Sequence, residues 1–574
     1  MKTRLPAWLP VAGWLTDYRR DDALADGLAA VIVTLMLIPQ SLAYALLAGV
    51  PPQVGLYASI LPLIGYALFG SSRTLAVGPV AVVSLMTAAA AGQIAGGDSG
   101  AYLAATVALA LLSGAMLVVM GLLRLGWVAN LLSHSVISGF ITASGLLIAA
   151  SQLKHLLGIP LQGDTLWALA ASAIEHWRGI NAATVLVGAA AMLFLLWARG
   201  PLKRLLARTP LPPMLADLIA KAGPVLAVIG TTLAVAAGDL QSQGVAIVGA
   251  VPAGLPVLSL PSVDTDLWTR LALPALLISL IGFVESVSVA QTLAAKRRQR
   301  VDSNAELIGL GAANLASGVS GGFPVTGGFS RSVVNFDAGA RSPMAGVFTA
   351  GGIAVTALFL TPWFHYLPKA TLAATIIVAV LTLVDPGALV RTWRYSKADF
   401  AAMLVTLAGV LLAGVETGVI AGVVAALALH LWRTSQPHMA ELGQMPGTEH
   451  FRNVRRHHVV ISPRVLSIRV DESLYFANAR HTEDAIYDKA LHCDGRRHVV
   501  LLCSAINHID ASALDSLKSL NRRLADAGVT LHLSEVKGPV MDQLTRSDFL
   551  EHLSGNVFLS HYQALATLDP GTTR

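Results

Sequence analysis

The sequence predicts an α-helical protein that crosses a membrane many times and ends in a small α/β domain. Only 13% of its 574 residues are charged, about half the roughly 25% expected of a soluble domain. Residues 27–72 and 342–368 contain no Asp, Glu, Lys or Arg, and each run exceeds the roughly 20 apolar residues that cross a bilayer. The composition changes near residue 434, which predicts a membrane region, 1–434, and a C-terminal domain, 435–574.

Fourteen hydrophobic segments precede residue 434. They lie at about 27–48, 53–70, 79–94, 102–121, 134–152, 181–198, 219–237, 271–293, 304–319, 328–337, 343–360, 367–383, 399–414 and 416–432. If the N-terminus is cytoplasmic and the segments alternate, 20 of the 25 Lys and Arg of this region fall on the cytoplasmic side. Four others fall on the outer side of the membrane: Lys154, Arg178, Arg270 and Lys369. Because cytoplasmic loops are rich in Lys and Arg, we expect a multi-pass protein of the cytoplasmic (inner) membrane with both termini in the cytoplasm.

The formal net charge of +6 belongs to the membrane region. That region holds 25 Lys and Arg against 18 Asp and Glu, whereas the C-terminal domain holds 15 against 16. Membrane lipid head groups explain this distribution better than nucleic acid does. We therefore expect lipid as a partner and no nucleic acid.

Seven plus seven segments suggest an inverted repeat, in which the third and tenth segments are the short ones. Each follows a stretch interrupted by Gly and Pro, at 74–79 (TLAVGP) and 321–328 (GGFPVTGG). Short, interrupted segments at corresponding positions indicate a transporter binding site. A helix that begins inside the membrane directs free N–H groups and its positive dipole end into a cavity, which predicts an anion site. An ordinary kink or re-entrant turn is the alternative.

Two of the charged residues within predicted segments are functional candidates. Glu285 is in the middle of the eighth, where a carboxylate is costly and therefore a functional candidate. We expect it to exchange protons, with Ser286 and Ser288 as hydrogen-bonding neighbours; a Glu that only ties helices together is the alternative. Arg331 begins the tenth segment, and its guanidinium either attracts anions into the cavity or pairs with Glu285 or Asp337.

The C-terminal domain alternates apolar, β-branched runs with amphipathic segments. The strands are predicted at 464–470, 498–503 and 529–533, and the helices at 477–491 and 511–525. This alternation predicts a sheet covered by helices. The two cysteines, Cys493 and Cys503, suggest a reducing cytosol rather than a disulfide framework.

Missing motifs argue against several functions. The sequence has no GxxxxGK[ST] loop, which argues against ATP-driven transport, and no nucleophile–base motif that would indicate an enzyme. The 11 histidines of the C-terminal domain show no zinc-ligand spacing. We therefore expect no catalytic residues, no metal and no cofactor.

Three stretches carry a family resemblance. Residues 38–86 read IPQSLAYALLAGVPPQVGLYASILPLIGYALFGSSRTLAVGPVAVVSLM, which resembles the signature of the SulP family, the sulfate permeases related to animal anion exchangers. The stretch 318–335 (GVSGGFPVTGGFSRSVVN) resembles the tenth helix of that family, and 499–517 (VVLLCSAINHIDASALDSL) resembles a STAS domain. The resemblance implies a core domain of segments 1–4 and 8–11, a gate domain of segments 5–7 and 12–14, and a homodimer.

The resemblance also implies roles for particular residues. The substrate-binding residues it implies are Gln40, Tyr44, Val80, Ala81, Gly328, Phe329, Ser330 and Arg331. Glu285 matches the acidic position of the eighth helix, which implies proton coupling. Sodium-coupled members carry a hydroxyl one turn further on, where this chain has Val289, so protons are favoured over sodium. Ser512 matches a phosphorylatable serine of STAS loops; a helix N-cap is its alternative role.

Together these expectations describe a secondary active transporter of a small anion, with a sulfate-type oxyanion favoured. Proton symport would accompany an elevator-like movement of the core against the gate. The alternatives are an uncoupled exchanger or channel, a bicarbonate or C4-dicarboxylate transporter, a nucleobase carrier of a sister family, and a membrane sensor. The sensor would signal through the STAS domain to a cytosolic partner that the sequence does not identify.

Overall fold

The structure of the chain, a computed structural model, describes residues 10–16, 18–96, 98–131, 133–202, 205, 222–258, 264–492 and 495–572. The chain divides into two compact units, Met1–Ala425 and Ala426–Arg574. The first is helical and apolar, and the second combines a sheet with helices. Cys493 lies outside the described residues.

Helices account for most of the described chain up to residue 435. Their bounds are α1 Pro10–Leu15, α2 Arg20–Leu47, α3 Pro52–Tyr57, α4 Leu61–Phe69, α5 Ala81–Ala95, α6 Ser99–Leu122, α7 His134–Leu157, α8 Leu166–Glu175, α9 Ala182–Trp197, α10 Gly223–Ala237, α11 Thr265–Lys296, α12 Ser303–Val319, α13 Phe329–Asp337, α14 Met344–Val355, α15 Lys369–Val380, α16 Pro386–Tyr395, α17 Lys397–Ala413 and α18 Val415–Ser435. Two short strands, β1 Val77–Gly78 and β2 Thr326–Gly327, precede α5 and α13.

Each of the fourteen predicted segments overlaps a helix, although 219–221 of the seventh lie outside the described residues. Eight described helical stretches are long and apolar enough to cross a membrane. They are Arg20–Leu47, Pro52–Phe69, Ser99–Leu122, His134–Leu157, Ala182–Leu202, Thr265–Lys296, Met344–Phe364 and Val415–Ser435. The polytopic helical fold predicted from the sequence is confirmed. Three further helices, α1, α8 and α16, were not predicted.

The membrane helices pack in two groups. α6 packs against α11 and α12, and α2 against α14, whereas α7 packs against α15 and α17, and α9 against α15. We call the first group, α2–α6 with α11–α14, the core. The second group, the gate, contains α7, α9, α10, α15, α17 and α18. Both groups combine helices from the two halves of the chain, as expected of an inverted repeat.

Glycines allow two core helices to pack backbone against backbone. A Cβ on Gly114 of α6 would lie 2.9 Å from the carbonyl oxygen of Gly311 in α12, and a Cβ on Gly311 would lie 2.9 Å from that of Gly114. Small residues at such positions let membrane helices approach closely. A larger side chain at either position would therefore push α6 and α12 apart.

The second unit contains a six-stranded sheet in the order β4-β3-β5-β6-β7-β8. Its strands are β3 Met439–Gln444, β4 Phe451–Asn453, β5 Val465–Val470, β6 His498–Leu502, β7 Thr530–Ser534 and β8 Val557–Phe558. Strands β5 to β8 run parallel, and β3 is antiparallel to both of its neighbours. The helices are α19 Ala479–Leu491, α20 Ala511–Asp526, α21 Gly538–Thr545, α22 Phe549–His552 and α23 His561–Leu568.

Alternate side chains of the strands enter two different apolar clusters. Leu466 and Leu501 belong to the cluster that contains residues of α19 and α20, and Val465 and Val500 to the cluster that contains residues of α23. This is the period of two expected of strands covered on both faces. The three predicted strands and two predicted helices of this domain are confirmed; β3, β4, β8 and α21 to α23 were not predicted.

Candidate functional site

The two short strands bring the interrupted segments of the two halves together. β1 pairs antiparallel with β2, with Val77 opposite Gly327 and Gly78 opposite Thr326. Both strands are buried, and α5 and α13 begin directly after them. The beginnings of these two helices therefore lie beside one another inside the core.

Side chains of neighbouring helices satisfy the broken backbone before α13. Asn314 of α12 makes two hydrogen bonds of 2.9 Å with the backbone of Val325. Ser286 of α11 accepts a hydrogen bond of 2.9 Å from the Gly327 N–H and lies 2.7 Å from the Thr326 hydroxyl. Irregular backbone is tolerated at membrane depth only where its polar groups find such partners.

The corresponding stretch before α5 is held by α12 and α13. The Ser332 hydroxyl accepts a hydrogen bond of 2.9 Å from the Ala76 N–H, and the Asn335 side chain donates one of 3.0 Å to the Thr74 carbonyl. Glu306 of α12 is fully buried. Its carboxylate accepts hydrogen bonds from two backbone N–H groups, at residues 71 and 72, and from the Tyr66 hydroxyl. Side chains of the second half of the repeat thus fix both extended stretches.

The first-turn N–H groups of α5 and α13 are directed to one place. The N-cap residues, Val80 and Gly328, make no side-chain capping hydrogen bond, and the first N–H groups of a helix have no acceptor within it. Val80, Ala81 and Gly328 are all buried. Two helix N-termini with free donors favour a negatively charged group between them.

The guanidinium of Arg331 lies beside both helix starts. Its Nη1 donates a hydrogen bond to the Pro79 carbonyl oxygen, and the residue is only 2% exposed. Nε and Nη2 have no hydrogen-bond partner among the described residues. The structure shows no ion pair between Arg331 and Glu285 or Asp337. Buried donors without partners are rare in proteins, so this cation is suited to an oxygen ligand.

Glycine at position 328 leaves the room that this guanidinium occupies. A Cβ at Gly328 would lie 2.9 Å from Nη2 and 3.1 Å from Cζ of Arg331. Nη2 is one of the two donors without a partner, and Cζ carries both of them, so any side chain at 328 would displace these donors.

A cavity of about 350 Å³ opens between the core and the gate beside α13. Gln40 of α2 and Phe329 and Ser330 of α13 line its core side. Arg199, which follows α9, and Thr375 of α15 line its gate side. The remaining predicted binding residues, Tyr44, Val80, Ala81, Gly328 and Arg331, are buried behind this surface.

Glu285 lies in a separate, narrow apolar crevice between α11 and the gate. Phe140 of α7 and Val419 of α18 line this crevice with it. The expectation that Ser286 and Ser288 bind the carboxylate is wrong. Ser286 bonds to the stretch before α13, and the Ser288 hydroxyl donates to the carbonyl of its own helix at 284. The charges of Glu285 and Arg331 nevertheless act on each other.

Family models match two parts of the chain. The sulfate permease family model matches residues 24–406 and the STAS domain model matches residues 457–564. The chain belongs to the sulfate permease family. The family consists of transporters and not of enzymes.

Curated relatives align over nearly the whole chain. The chain is 36% identical to the chloroplastic sulfate transporter 4.1 of Arabidopsis thaliana over 96% of this chain and 81% of that protein. It is 32% identical to a probable sulfate transporter of Mycobacterium tuberculosis over 95% of each.

Two solved structures share the fold. Murine Solute Carrier 26 family member A9, an anion transporter in its inward-facing state, matches with a TM-score of 0.87 and 24% identity, over 100% of this chain and 97% of that one. The transmembrane domain of the cyanobacterium bicarbonate transporter BicA matches with a TM-score of 0.59 and 21% identity, over 71% of this chain and 98% of that one.

Several residues that shape the site of this family member were missed from the sequence. Arg199 was counted from the sequence only as one of the Lys and Arg on the cytoplasmic side. It lines the cavity and donates a hydrogen bond of 2.6 Å to the Val378 carbonyl. Glu306 is a second carboxylate within a predicted segment, the same signal that identified Glu285. Thr375 is a hydroxyl in an apolar run, and such a residue carries no distinctive signal.

Ser512 does not cap the helix that follows it, which corrects the alternative role proposed from the sequence. Asp510 is the N-cap of α20, and its side chain accepts a hydrogen bond of 2.8 Å from the Ala513 N–H. Ser512 lies in the first turn of α20 and is exposed. An exposed serine there is accessible to modification.

Proposed function

We propose that this permease is a secondary active importer that couples the entry of a small divalent oxyanion, with sulfate as the leading candidate, to protons. The observation that carries the proposal is the buried Arg331 guanidinium with two unpartnered donors at the starts of α5 and α13. The names of the curated relatives support sulfate.

The proposed anion site combines backbone and side-chain donors. The free N–H groups of Ala81 and Phe329, at the first positions of α5 and α13, and the Ser330 hydroxyl would surround the oxyanion, with Gln40 and Tyr44 of α2 at its edge. Arg331 would supply the full positive charge and a planar pair of donors. Such a site recognises charge and size, since backbone donors are the same in every residue.

Coupling follows from the electrostatics of Glu285 and Arg331. When Glu285 is ionised, its negative charge offsets that of the guanidinium and weakens the attraction for an anion. When Glu285 takes up a proton, the guanidinium acts on the anion undiminished. Proton and anion would therefore bind together and be released together, which is the requirement of a symporter.

The energetics of import favour such coupling. Moving one elementary charge against a potential of about 100 mV costs about 2.3 kcal/mol, so an inside-negative membrane opposes a divalent anion by about twice that amount. Each proton carried inward offsets one of these charges. A proton gradient adds a further driving force.

We propose that the core moves against the gate as an elevator, with residues 1–434 as the transport domain and 435–574 as a cytosolic STAS domain. The cavity at Arg199 and Ser330 lies between the two groups. With both termini in the cytoplasm of a cell-membrane protein, that cavity faces inward.

We further propose that the protein forms a homodimer to which the STAS domains contribute. We also propose that an unidentified cytosolic partner regulates the protein at Ser512.

Uptake into proteoliposomes tests the proposal. Labelled sulfate, bicarbonate and succinate would be compared under an imposed inward proton gradient, in the wild type and in Glu285→Gln. We expect sulfate to accumulate in the wild type, and gradient-driven accumulation to be lost in the variant. Uptake indifferent both to the gradient and to the substitution would contradict coupling and leave an exchanger or a channel.

A further inference from the structure

A second cavity lies at the opposite end of α5 from the proposed anion site. It measures about 700 Å³ and is lined on the core side by the end of α5 and by the start of α6, including Asp98 and Tyr102. The gate side contributes Lys154 and His155 at the end of α7 and Lys369 at the start of α15. We call this cavity the outer vestibule. Since α5 has 15 residues and rises about 1.5 Å per residue, the outer vestibule is roughly 20 Å from Arg331.

The gate side of the outer vestibule is strongly cationic. The positive charge of Lys369 lies close enough to Lys154 to interact with it electrostatically, and the charges of the two lysines both interact with His155. Neither lysine forms an ion pair with a carboxylate of the described residues. Asp98, the acid among the described lining residues, caps α6 and accepts a hydrogen bond of 2.9 Å from the Gly100 N–H.

This arrangement stabilises the fold poorly by itself. All three basic side chains are partly buried, and burying like charges together is unfavourable unless an opposite charge compensates them. The Tyr102 hydroxyl of the wall is already used, because it donates a hydrogen bond of 2.7 Å to the Ala48 carbonyl. An anion in the cavity would supply the missing negative charge.

We propose that Lys154 and Lys369 form a second anion-binding site that captures a divalent oxyanion on the outer side of the membrane before it reaches Arg331. Two parts of this proposal rest on the proposed function: that the site lies on the outer side of the membrane, and that the captured anion is the one that is transported. Both lysines belong to the gate, so the site stays in place while the core moves. Two ammonium groups on one wall of an open cavity favour a doubly charged oxyanion over chloride.

Lysine acylation tests binding directly on the full-length protein. Brief acylation, read by mass spectrometry, would be compared in sodium sulfate and in sodium chloride of equal ionic strength. We expect sulfate to slow modification of Lys154 and Lys369 by at least about threefold, as when most molecules hold the anion, and to leave Lys397 unchanged. Equal modification in the two salts would overturn the proposal.

The same measurement in Arg331→Gln separates this proposal from the proposed function. Protection that persists in that variant shows a site independent of Arg331. Protection that disappears there shows instead that sulfate acts through the inner site, and the outer site is then rejected. Acylation needs no transport, so the result holds even if sulfate proves not to be carried.

Uptake kinetics give a second readout. In Lys154→Gln/Lys369→Gln we expect kcat/KM for sulfate to fall about tenfold, because electrostatic steering is lost, with kcat unchanged. Raising the ionic strength should lower kcat/KM in the wild type and leave that of the double variant nearly constant. Arg270→Gln is the matched control, since Arg270 is exposed on the same side and paired with Asp266. A fall of the same size in this control would reject a specific site.

Discussion

Arg331 of α13 donates a hydrogen bond to the carbonyl oxygen of Pro79, which precedes α5. The two residues come from corresponding segments of the two halves of the chain, and the bond joins the two helix starts at the proposed anion site. It uses one of the three guanidinium nitrogens and leaves Nε and Nη2 without partners in the described structure. The same side chain therefore orders the site and offers donors to a ligand.

Removing the guanidinium should abolish anion binding. We expect Arg331→Gln to weaken sulfate binding roughly 100-fold, because hydrogen bonds to a charged group contribute about 1.5–3 kcal/mol. Arg331→Lys should recover part of the affinity, since it restores the charge without the planar pair of donors. Equilibrium binding of labelled sulfate to purified protein measures both variants. Arg270→Gln, an equal change of charge on an exposed residue, should bind normally; equal losses in all three would argue against a specific site.

Affinity for sulfate should fall as pH rises. Deprotonation of Glu285 places a negative charge near Arg331, so we expect the Kd of the wild type to increase about tenfold as this carboxyl loses its proton, a coupling of about 1.4 kcal/mol. Glu285→Gln should hold the same high affinity at every pH. Sulfate-binding titrations at several pH values give the Kd of the wild type and of Glu285→Gln for comparison. A variant with the same pH profile as the wild type would assign the coupling to another group.

A methyl group at position 328 should disable the site without unfolding the core. The Cβ of Gly328→Ala would meet Arg331 at 2.9 Å, and the guanidinium would have to leave its place. We expect sulfate affinity to fall about tenfold or more, while thermal stability changes by no more than about 1 kcal/mol. The matched control is Gly351→Ala in α14, where a Cβ would meet nothing within 4 Å. Binding by Gly328→Ala equal to that of the control would contradict the proposed geometry.

The helices and the positions of the two interrupted stretches were predictable because both depend on local sequence. A run without charges marks a helix in a membrane, and Gly and Pro mark where it breaks. By contrast, α16 was not predicted because it is short and amphipathic, with Arg391 and Trp393 both exposed.

Long-range polar contacts were not predictable in detail. Ser286 is adjacent to Glu285 in the sequence, but its hydroxyl points to the stretch before α13, some 40 positions later. Asp26 of α2 accepts a hydrogen bond of 3.1 Å from the Ser342 N–H, which fixes the turn after α13. A sequence shows that such a group needs a partner, whereas the partner is chosen by how the helices pack.

Buried histidines should make the STAS domain sensitive to acid. Burial lowers the pKa of both His532 and His561 to about 4, below the ordinary value of about 6.5. The unfolded chain therefore binds more protons, and stability is lost as pH falls below about 6.5, by about 2 kcal/mol per histidine at pH 5. Hydrogen–deuterium exchange of β7 in the full chain, corrected at each pH for the intrinsic exchange rate of the unprotected amides, should show smaller protection factors at pH 5 than at pH 7. His532→Gln should reduce this difference, whereas a change at the exposed His481 should not.

The thiol of Cys503 should resist alkylation in the native protein. It lies buried at the end of β6, and burial raises the pKa of this thiol to about 12. Only the thiolate reacts, so the raised pKa alone lowers the reactive fraction by about 1,000-fold relative to an ordinary thiol. Maleimide labelling of a Cys493→Ser variant, followed by mass spectrometry, isolates this residue. We expect labelling only after denaturation; rapid labelling of the native variant would show that the domain opens at β6.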